Sequence, residues 1–323
     1  MKREKLRVGV IGVGHLGEYH LQKYRDIPLV DLVGVVDTNP RRAEEIARNY
    51  EVKAYGGHQE ILDMVDAVSL AVPTEIHFDV ARDILSAGVH VLIEKPITYD
   101  IKDADGLLSL ARENGVVLQV GLIERFNPAV VEMESMLNKP VFIESHRMNQ
   151  FTTRGIDVDV VLDLMIHDLD IILHIVSSKV EDVHAVGMSV ITGKTDIANA
   201  RIIFENGTVA NLTASRVSNK TLRKIRVFQP DCYMSVNCFK KELSVIGLDP
   251  ELKGSNGYPQ VTSRKMEFHE SDPLADEIAS FVNVVIEGTV PVVTGQDGRN
   301  ALEVALGIID QIKRGSRKYR AIP

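Results

Sequence analysis

At 323 residues, 45% hydrophobic and 25% charged, the chain has room for two domains and the composition of an ordinary globular protein. Its net charge of −8 argues against non-specific nucleic-acid binding, so phosphate recognition has to come from local cationic clusters. Cys232 and Cys238 read as two reduced thiols rather than a metal or redox pair, and the most apolar long stretch, Val158 to Val176, carries four aspartates, which excludes a membrane span.

Up to about Val120, β-branched runs alternate with amphipathic segments, the pattern of parallel βαβ units in a doubly wound α/β sheet. The runs are Val8 to Ile11, Leu32 to Val36, Ala67 to Val72, His90 to Ile93 and Val116 to Val120. Helices are predicted over Pro40 to Asn49, Glu75 to Ala87 and Ile101 to Glu113, with Gly88 and Gly115 in helix-stopping positions. Gly12, Gly14 and Gly17 follow the first run, and each answers a separate demand of dinucleotide binding. Gly12 allows the tight turn, Gly14 a close backbone approach to a pyrophosphate, and Gly17 close packing of helix on strand. The helix opening at His15 and Leu16 turns its free N–H groups toward the phosphates. Asp37, twenty positions beyond Gly17, ends the second run, where a carboxylate accepts from ribose hydroxyls and repels a 2′-phosphate. NAD is therefore favoured over NADP, although Arg41 and Arg42 lie close by.

Beyond Val120 the texture changes. Arg125 to Leu137 and Asp157 to Val176 read as helices. Strands follow at Val183 to Ile191, Ala198 to Phe204, Thr208 to Val217, Arg223 to Phe228, Cys232 to Val236 and Leu243 to Ile246, with an Asn206-Gly207 hairpin signal. Strands in succession imply an open, largely antiparallel mixed sheet, hence an α+β second domain. Asp249 to Tyr258 reads as a mobile surface loop, and Asp272 to Glu287 and Asp297 to Arg314 as closing helices.

Three groups carry candidate chemistry. Pro73, Thr74 and His77 follow a strand at the expected cofactor edge, with Thr74 a good helix N-cap. Glu94-Lys95-Pro96 ends another strand at the edge where open α/β sheets bind ligands, which sets Lys95 near the expected nicotinamide. Asp163, His167, Asp170 and His174, spaced 4, 3 and 4 apart, line one face of an otherwise apolar helix. Imidazole exchanges protons near neutral pH and a carboxylate one turn away orients it, so catalysis and a solvated face are equal readings; a metal site ranks below both.

These motifs, with Gly121-x-x-x-Arg125-Phe126-Asn127-Pro128 and the Thr294 to Ala305 segment, resemble over essentially the whole chain the glucose-fructose oxidoreductase / inositol dehydrogenase / rhizopine catabolism family. The resemblance implies a Rossmann NAD-binding domain over 1–121 and a substrate-binding and oligomerisation domain over 122–323, whose last helix has the option of packing back on the first. It implies that Lys95 polarises a sugar oxygen, His167 is the general acid/base and Asp163 orients it. A homodimer or homotetramer through the second sheet and a cytoplasmic location complete the expectation.

Phe142 to Arg147, Arg154 to His167 and Ala214 to Ser218 also resemble the members of that family that oxidise UDP-N-acetylglucosamine at the 3-hydroxyl, with Met165 where the family often has glycine. A diphosphate-linked sugar needs cations, and Arg125, Arg147, Arg154 and Arg216, with Lys220 and Arg223, are the candidates. The alternatives are a polyol or free-sugar dehydrogenase of inositol type, or an NAD-bound sensor without catalysis. The joint presence of Lys95, Asp163 and His167 favours an enzyme.

Overall fold

The computed structural model describes residues 5–152, 158–230, 232–253 and 259–320. The chain divides into two compact units, one made of Met1–Ile123 and Asp272–Leu302, the other of Glu124–Ser271 and Glu303–Pro323.

The first unit runs β1 (Leu6–Ile11), α1 (His15–Arg25), β2 (Val30–Val36), α2 (Pro40–Tyr50), β3 (Lys53–Tyr55), α3 (Gln59–Leu62), β4 (Ala67–Leu70), α4 (His77–Ser86), β5 (His90–Glu94), α5 (Ile101–Asn114) and β6 (Leu118–Gly121). Its sheet has the order β3-β2-β1-β4-β5-β6, every pair parallel, which is the doubly wound arrangement. The order reverses between β1 and β4, so the ligand edge lies at the carboxyl ends of these strands. Asn39 and Asp100 cap α2 and α5 by accepting from backbone N–H groups, and Gly115 closes α5 at φ +65°.

Helix α8 (Pro273–Glu287) belongs to this unit. Its Ile278, Phe281 and Val282 join Val8, Val10, Leu21, Tyr24 and Leu92 in one buried core. Burying such side chains stabilises the unit by about 1.5–3 kcal/mol each.

The second unit holds α6 (Pro128–Ser135), β7 (Phe142–Met148), α7 (Ile166–Val176), β8 (Val180–Met188), β9 (Ile197–Phe204), β10 (Val209–Ser215), β11 (Leu222–Phe228), β12 (Cys232–Asn237), β13 (Glu242–Lys253) and β14 (Pro259–Glu267). The last helix, α9 (Gly295–Arg320), starts in the first unit and continues in the second. The eight-stranded sheet has the order β14-β13-β12-β11-β7-β10-β9-β8; only β7 and β10 pair in parallel. Along β7, β9 and β10 the buried residues alternate with more exposed ones, so one face of the sheet makes the core.

Several sequence expectations are corrected. The helix expected over Arg125 to Leu137 is a 3-10 turn (Ile123–Phe126) followed by α6, because Asn127-Pro128 restarts the helix with Asn127 as cap. The start of the expected Asp157 to Val176 helix is a π turn, Val161–Met165. Asp249 to Lys253, expected as loop, extend β13, while 254–258 lie outside the described residues. The short edge strand β3 and strands β7 and β14 were not foreseen. Among the described residues no helix is long and apolar enough to cross a membrane.

Candidate active site

At the end of β1 the backbone turns at Gly12, whose φ is +84°, a conformation that L side chains rarely adopt. A Cβ on Gly17 would lie 1.8 Å from the Gly12 carbonyl oxygen, so only glycine permits this approach of α1 to the turn. A Cβ on Gly14 would meet nothing within 4 Å, and Gly14 caps α1 without any side-chain hydrogen bond. The first N–H groups of α1, beside exposed His15 and Leu16, are thus left for an anionic ligand, and the cradle fits a pyrophosphate.

Asp37 completes this corner. Its carboxylate accepts from the N–H of Val13 at 3.0 Å and of Asn39 at 2.8 Å, which holds it at the end of β2. Arg42 donates to the Val13 carbonyl at 2.9 Å and meets Glu18 at 2.5 Å. Both contacts engage the guanidinium with protein groups.

On the other side of the switch point, Pro73 is exposed and Thr74 opens a 3-10 turn, Thr74–Ile76, that has no side-chain cap. The capping role expected of Thr74 is not found. His77 has protein partners on both ring nitrogens. Its ring is buried, with Nδ1 2.9 Å from the Pro96 carbonyl and Nε2 3.0 Å from the Val72 carbonyl, so it ties the ends of two loops together. Burial makes its imidazole harder to protonate than usual. Lys95 follows β5 and keeps partial exposure, whereas Glu94 is buried with its carboxylate 3.1 Å from His20.

In the second unit the helix face resolves differently from its spacing. Between Val160 and Ile172 only Asp163 and His167 keep partial exposure. Asp168 accepts from Ser145 at 2.6 Å and from Arg147 at 2.6 and 2.9 Å, and Asp170 pairs with Arg125 at 3.5 Å. His174 meets Glu134 at 2.5 Å. The expected four-residue stripe is therefore an accessible Asp163–His167 pair plus separate ion pairs.

The same packing engages the arginines expected to meet the substrate. Arg125, Arg147 and Arg216 are no more than 5% exposed. Arg147 bridges Asp168 and Glu124, the latter at 2.8 Å. Burial alone would loosen its proton, but the two carboxylates outweigh that and raise its pKa. Glu124, which burial pushes up, is held below the usual carboxylate range by Arg147. Arg216 donates to the Val158 carbonyl at 2.8 Å and lies 3.7 Å from Asp163, so it braces the entry to the π turn. Arg154 lies outside the described residues. Of the other cations, Arg223 keeps 37% side-chain exposure. The sequence reading missed Glu124 and His20; a polar residue on the buried face of an apolar segment was the available signal. Among the described residues no group of three or more His, Cys, Asp and Glu side chains could hold a metal ion.

Residues 6–122 match the GFO/IDH/MocA oxidoreductase family with its NAD-binding Rossmann fold, and 129–230 match the GFO/IDH/MocA C-terminal domain. The chain belongs to this family. UDP-N-acetylglucosamine 3-dehydrogenase of Acidithiobacillus ferrooxidans is 40% identical over 308 residues, covering 94% of this chain and 96% of that protein. A solved structure of that enzyme superposes with a TM-score of 0.90 at 39% identity, over 96% of this chain and 98% of that one. The scyllo-inositol 2-dehydrogenase (NAD(+)) of Bacillus subtilis is 25% identical, over 96% of this chain and 95% of that protein. As a GFO/IDH/MocA oxidoreductase the chain has an NAD-binding Rossmann domain, and the glycine turn with Asp37 beside it is a corner whose geometry fits that cofactor.

Proposed function

We propose that this oxidoreductase oxidises the 3-hydroxyl of UDP-N-acetylglucosamine to a ketone. The support is the 40% identity to the enzyme of that name across nearly the full length of both chains. For the chemistry, the observation that carries the reading is that packing leaves Asp163 and His167 accessible in an otherwise buried stretch. A buried stretch retains accessible polar groups where they have work to do outside the core.

When bound, NAD supplies the hydride acceptor. His167 takes the proton of the reacting hydroxyl as the C–H bond of that carbon breaks, and its neutral ring is the competent form. Asp163, one turn away, orients the imidazole and favours its charged form once the proton has arrived. The ammonium of Lys95 stabilises the negative charge that develops on the oxygen. Asp37 and the amides of the first turn of α1 bind and orient.

The second unit's sheet carries exposed Val186, Met188, Ile246, Leu248 and Val261, which supports a homodimer or homotetramer through that sheet. A content of only two cysteines, Cys232 and Cys238, supports a reducing, cytoplasmic setting.

The test is NADH formation from UDP-N-acetylglucosamine, myo-inositol and glucose at equal concentration with saturating NAD. The nucleotide sugar is expected to react fastest, and its apparent affinity to weaken as salt rises. Faster turnover of either uncharged compound overturns the substrate assignment and favours the inositol-type alternative. No turnover of any of the three, with NAD bound, points to the sensor reading.

A further inference from the structure

Beneath Lys95 the first unit buries a chain of polar side chains that no step of the proposed reaction uses. The hydroxyl of Tyr24 lies 2.8 Å from Ser69 Oγ, Ser69 Oγ lies 3.0 Å from His20 Nδ1, and His20 Nε2 lies 3.1 Å from Glu94 Oε1. The other carboxylate oxygen, Oε2, accepts the backbone N–H of Lys95 at 3.3 Å. His20, Tyr24 and Ser69 are each 0% exposed.

A carboxylate only accepts, and that requirement at the Glu94 end orders the chain. Burial raises the pKa of Tyr24, so its hydroxyl keeps its proton and is able to donate to Ser69. With Tyr24 donating to Ser69, and Ser69 donating to His20 Nδ1, the imidazole proton sits on Nε2 and points at Glu94. The Lys95 N–H points at the same carboxylate. Tyr24 is fully buried, so the chain ends in the core, which suits it to orient rather than to relay protons.

Two neighbours adapt to this carboxylate. A Cβ on Gly121 of β6 would lie 2.9 to 3.1 Å from Glu94 Oε1, Cδ and Oε2, so the glycine makes room for it. Glu277, on α8, faces the same region with neither carboxylate oxygen hydrogen-bonded. Burial, and then Glu94, raise its pKa well above the ordinary value, which favours its neutral form beside Glu94. Glu94 also acts on the imidazole of His77.

We propose that Glu94 is a positioning residue, held by the Tyr24–Ser69–His20 chain in the space left by Gly121, and that it fixes the backbone from which Lys95 projects. The proposal rests on the role given to Lys95 above. It makes the helix that follows the glycine turn, α1, one of the supports of the lysine. A displacement of about 1 Å in a reacting group costs on the order of 100-fold in rate, so a fixed backbone here matters to turnover and little to binding.

The experiment compares Lys95→Met, Glu94→Gln and Gly121→Ala by steady-state kinetics with UDP-N-acetylglucosamine and NAD, alongside 15N spectra of His20. Glu94→Gln keeps the shape but places an amide against two donors, and Gly121→Ala pushes the carboxylate without removing any polar group. Both are expected to lower kcat by roughly 10- to 100-fold with KM for NAD within about twofold. His20 is expected to carry its proton on Nε2 in the wild type and to lose that single tautomer in Glu94→Gln. Unchanged kcat in Glu94→Gln, with Lys95→Met inactive, overturns the positioning role alone. Full activity in Lys95→Met overturns the underlying assignment of the lysine. A wild-type His20 proton on Nδ1 overturns the direction of the chain and with it the proposal.

Discussion

Arg42 donates from Nε to the Val13 carbonyl at 2.9 Å, and the amide of the same Val13 donates to Asp37 at 3.0 Å. One residue of the glycine turn therefore binds both the carboxylate at the end of β2 and a neighbouring cation, the two groups on which the choice between NAD and NADP is proposed to rest. NAD is expected to bind more tightly than NADP. Asp37→Ala should narrow the gap by about tenfold or more, the scale of one charge repulsion of about 1–4 kcal/mol near a protein surface. Adding Glu18→Gln, which loosens Arg42, should narrow it further. Titration of both oxidised cofactors checks this, and tighter NADP binding by the wild type would contradict it.

Lys95→Met and His167→Asn are expected to lower turnover by about two orders of magnitude or more, the usual scale for lost oxyanion or acid–base help. Both side chains are partly exposed, so the melting temperature should move little. Turnover at the wild-type level in either variant removes that residue from the mechanism.

Arg147 behaves as a structural cation. Arg147→Met leaves Glu124 and Asp168 buried without their partner, and a loss of about 3–5 kcal/mol is expected in urea unfolding. A folded variant of wild-type stability with weakened nucleotide-sugar affinity would restore the phosphate-binding reading.

Glu277 carries a pH signature. Its folded pKa lies well above the ordinary 4.5, so above pH ~4.5 the unfolded chain releases a proton that the folded chain retains. This group's contribution to stability therefore falls as pH rises from that point toward the raised folded value. Glu277→Gln removes the titration. Its melting temperature relative to wild type is expected to rise more at pH 8 than at pH 4.5; an equal shift at both would show that Glu277 is ionised in the fold.

Asp196 gives the opposite slope. Burial raises its pKa, but the Thr192 hydroxyl and the amides of Thr192, Ile191 and Val190 outweigh burial and bring it to about 2. Its stabilisation is complete above about pH 4 and lost as pH falls toward 2. Asp196→Asn should destabilise at neutral pH and lose that penalty in acid, as scored by thermal melts across this range.

The sequence by itself determined the first βαβ unit and its cofactor, because a strand, a glycine turn, a helix and an acid at the next strand end are local and nearly contiguous. It also determined the antiparallel character of the second sheet, since strands followed one another without helices. Tertiary structure decided depth. Asp163, Asp168 and Asp170 are equivalent as letters on one helix, but Arg147 from β7 and Arg125 from the 3-10 turn bury two of them and leave Asp163 with His167 accessible. Strand β7 escaped notice for the same reason. Its inward positions include Ser145 and Arg147, whose burial is tolerable because Asp168 meets both and Glu124 meets the arginine. Strand β14 escaped because it pairs on one side only, at the sheet edge, where polar residues are tolerated. Helix α8 joins the first unit's core although more than 150 residues separate it from β6, and no local pattern announces which core an apolar helix face will enter. The role of a charge depends on what is packed opposite it, and that partner is set by through-space neighbours far away in the chain.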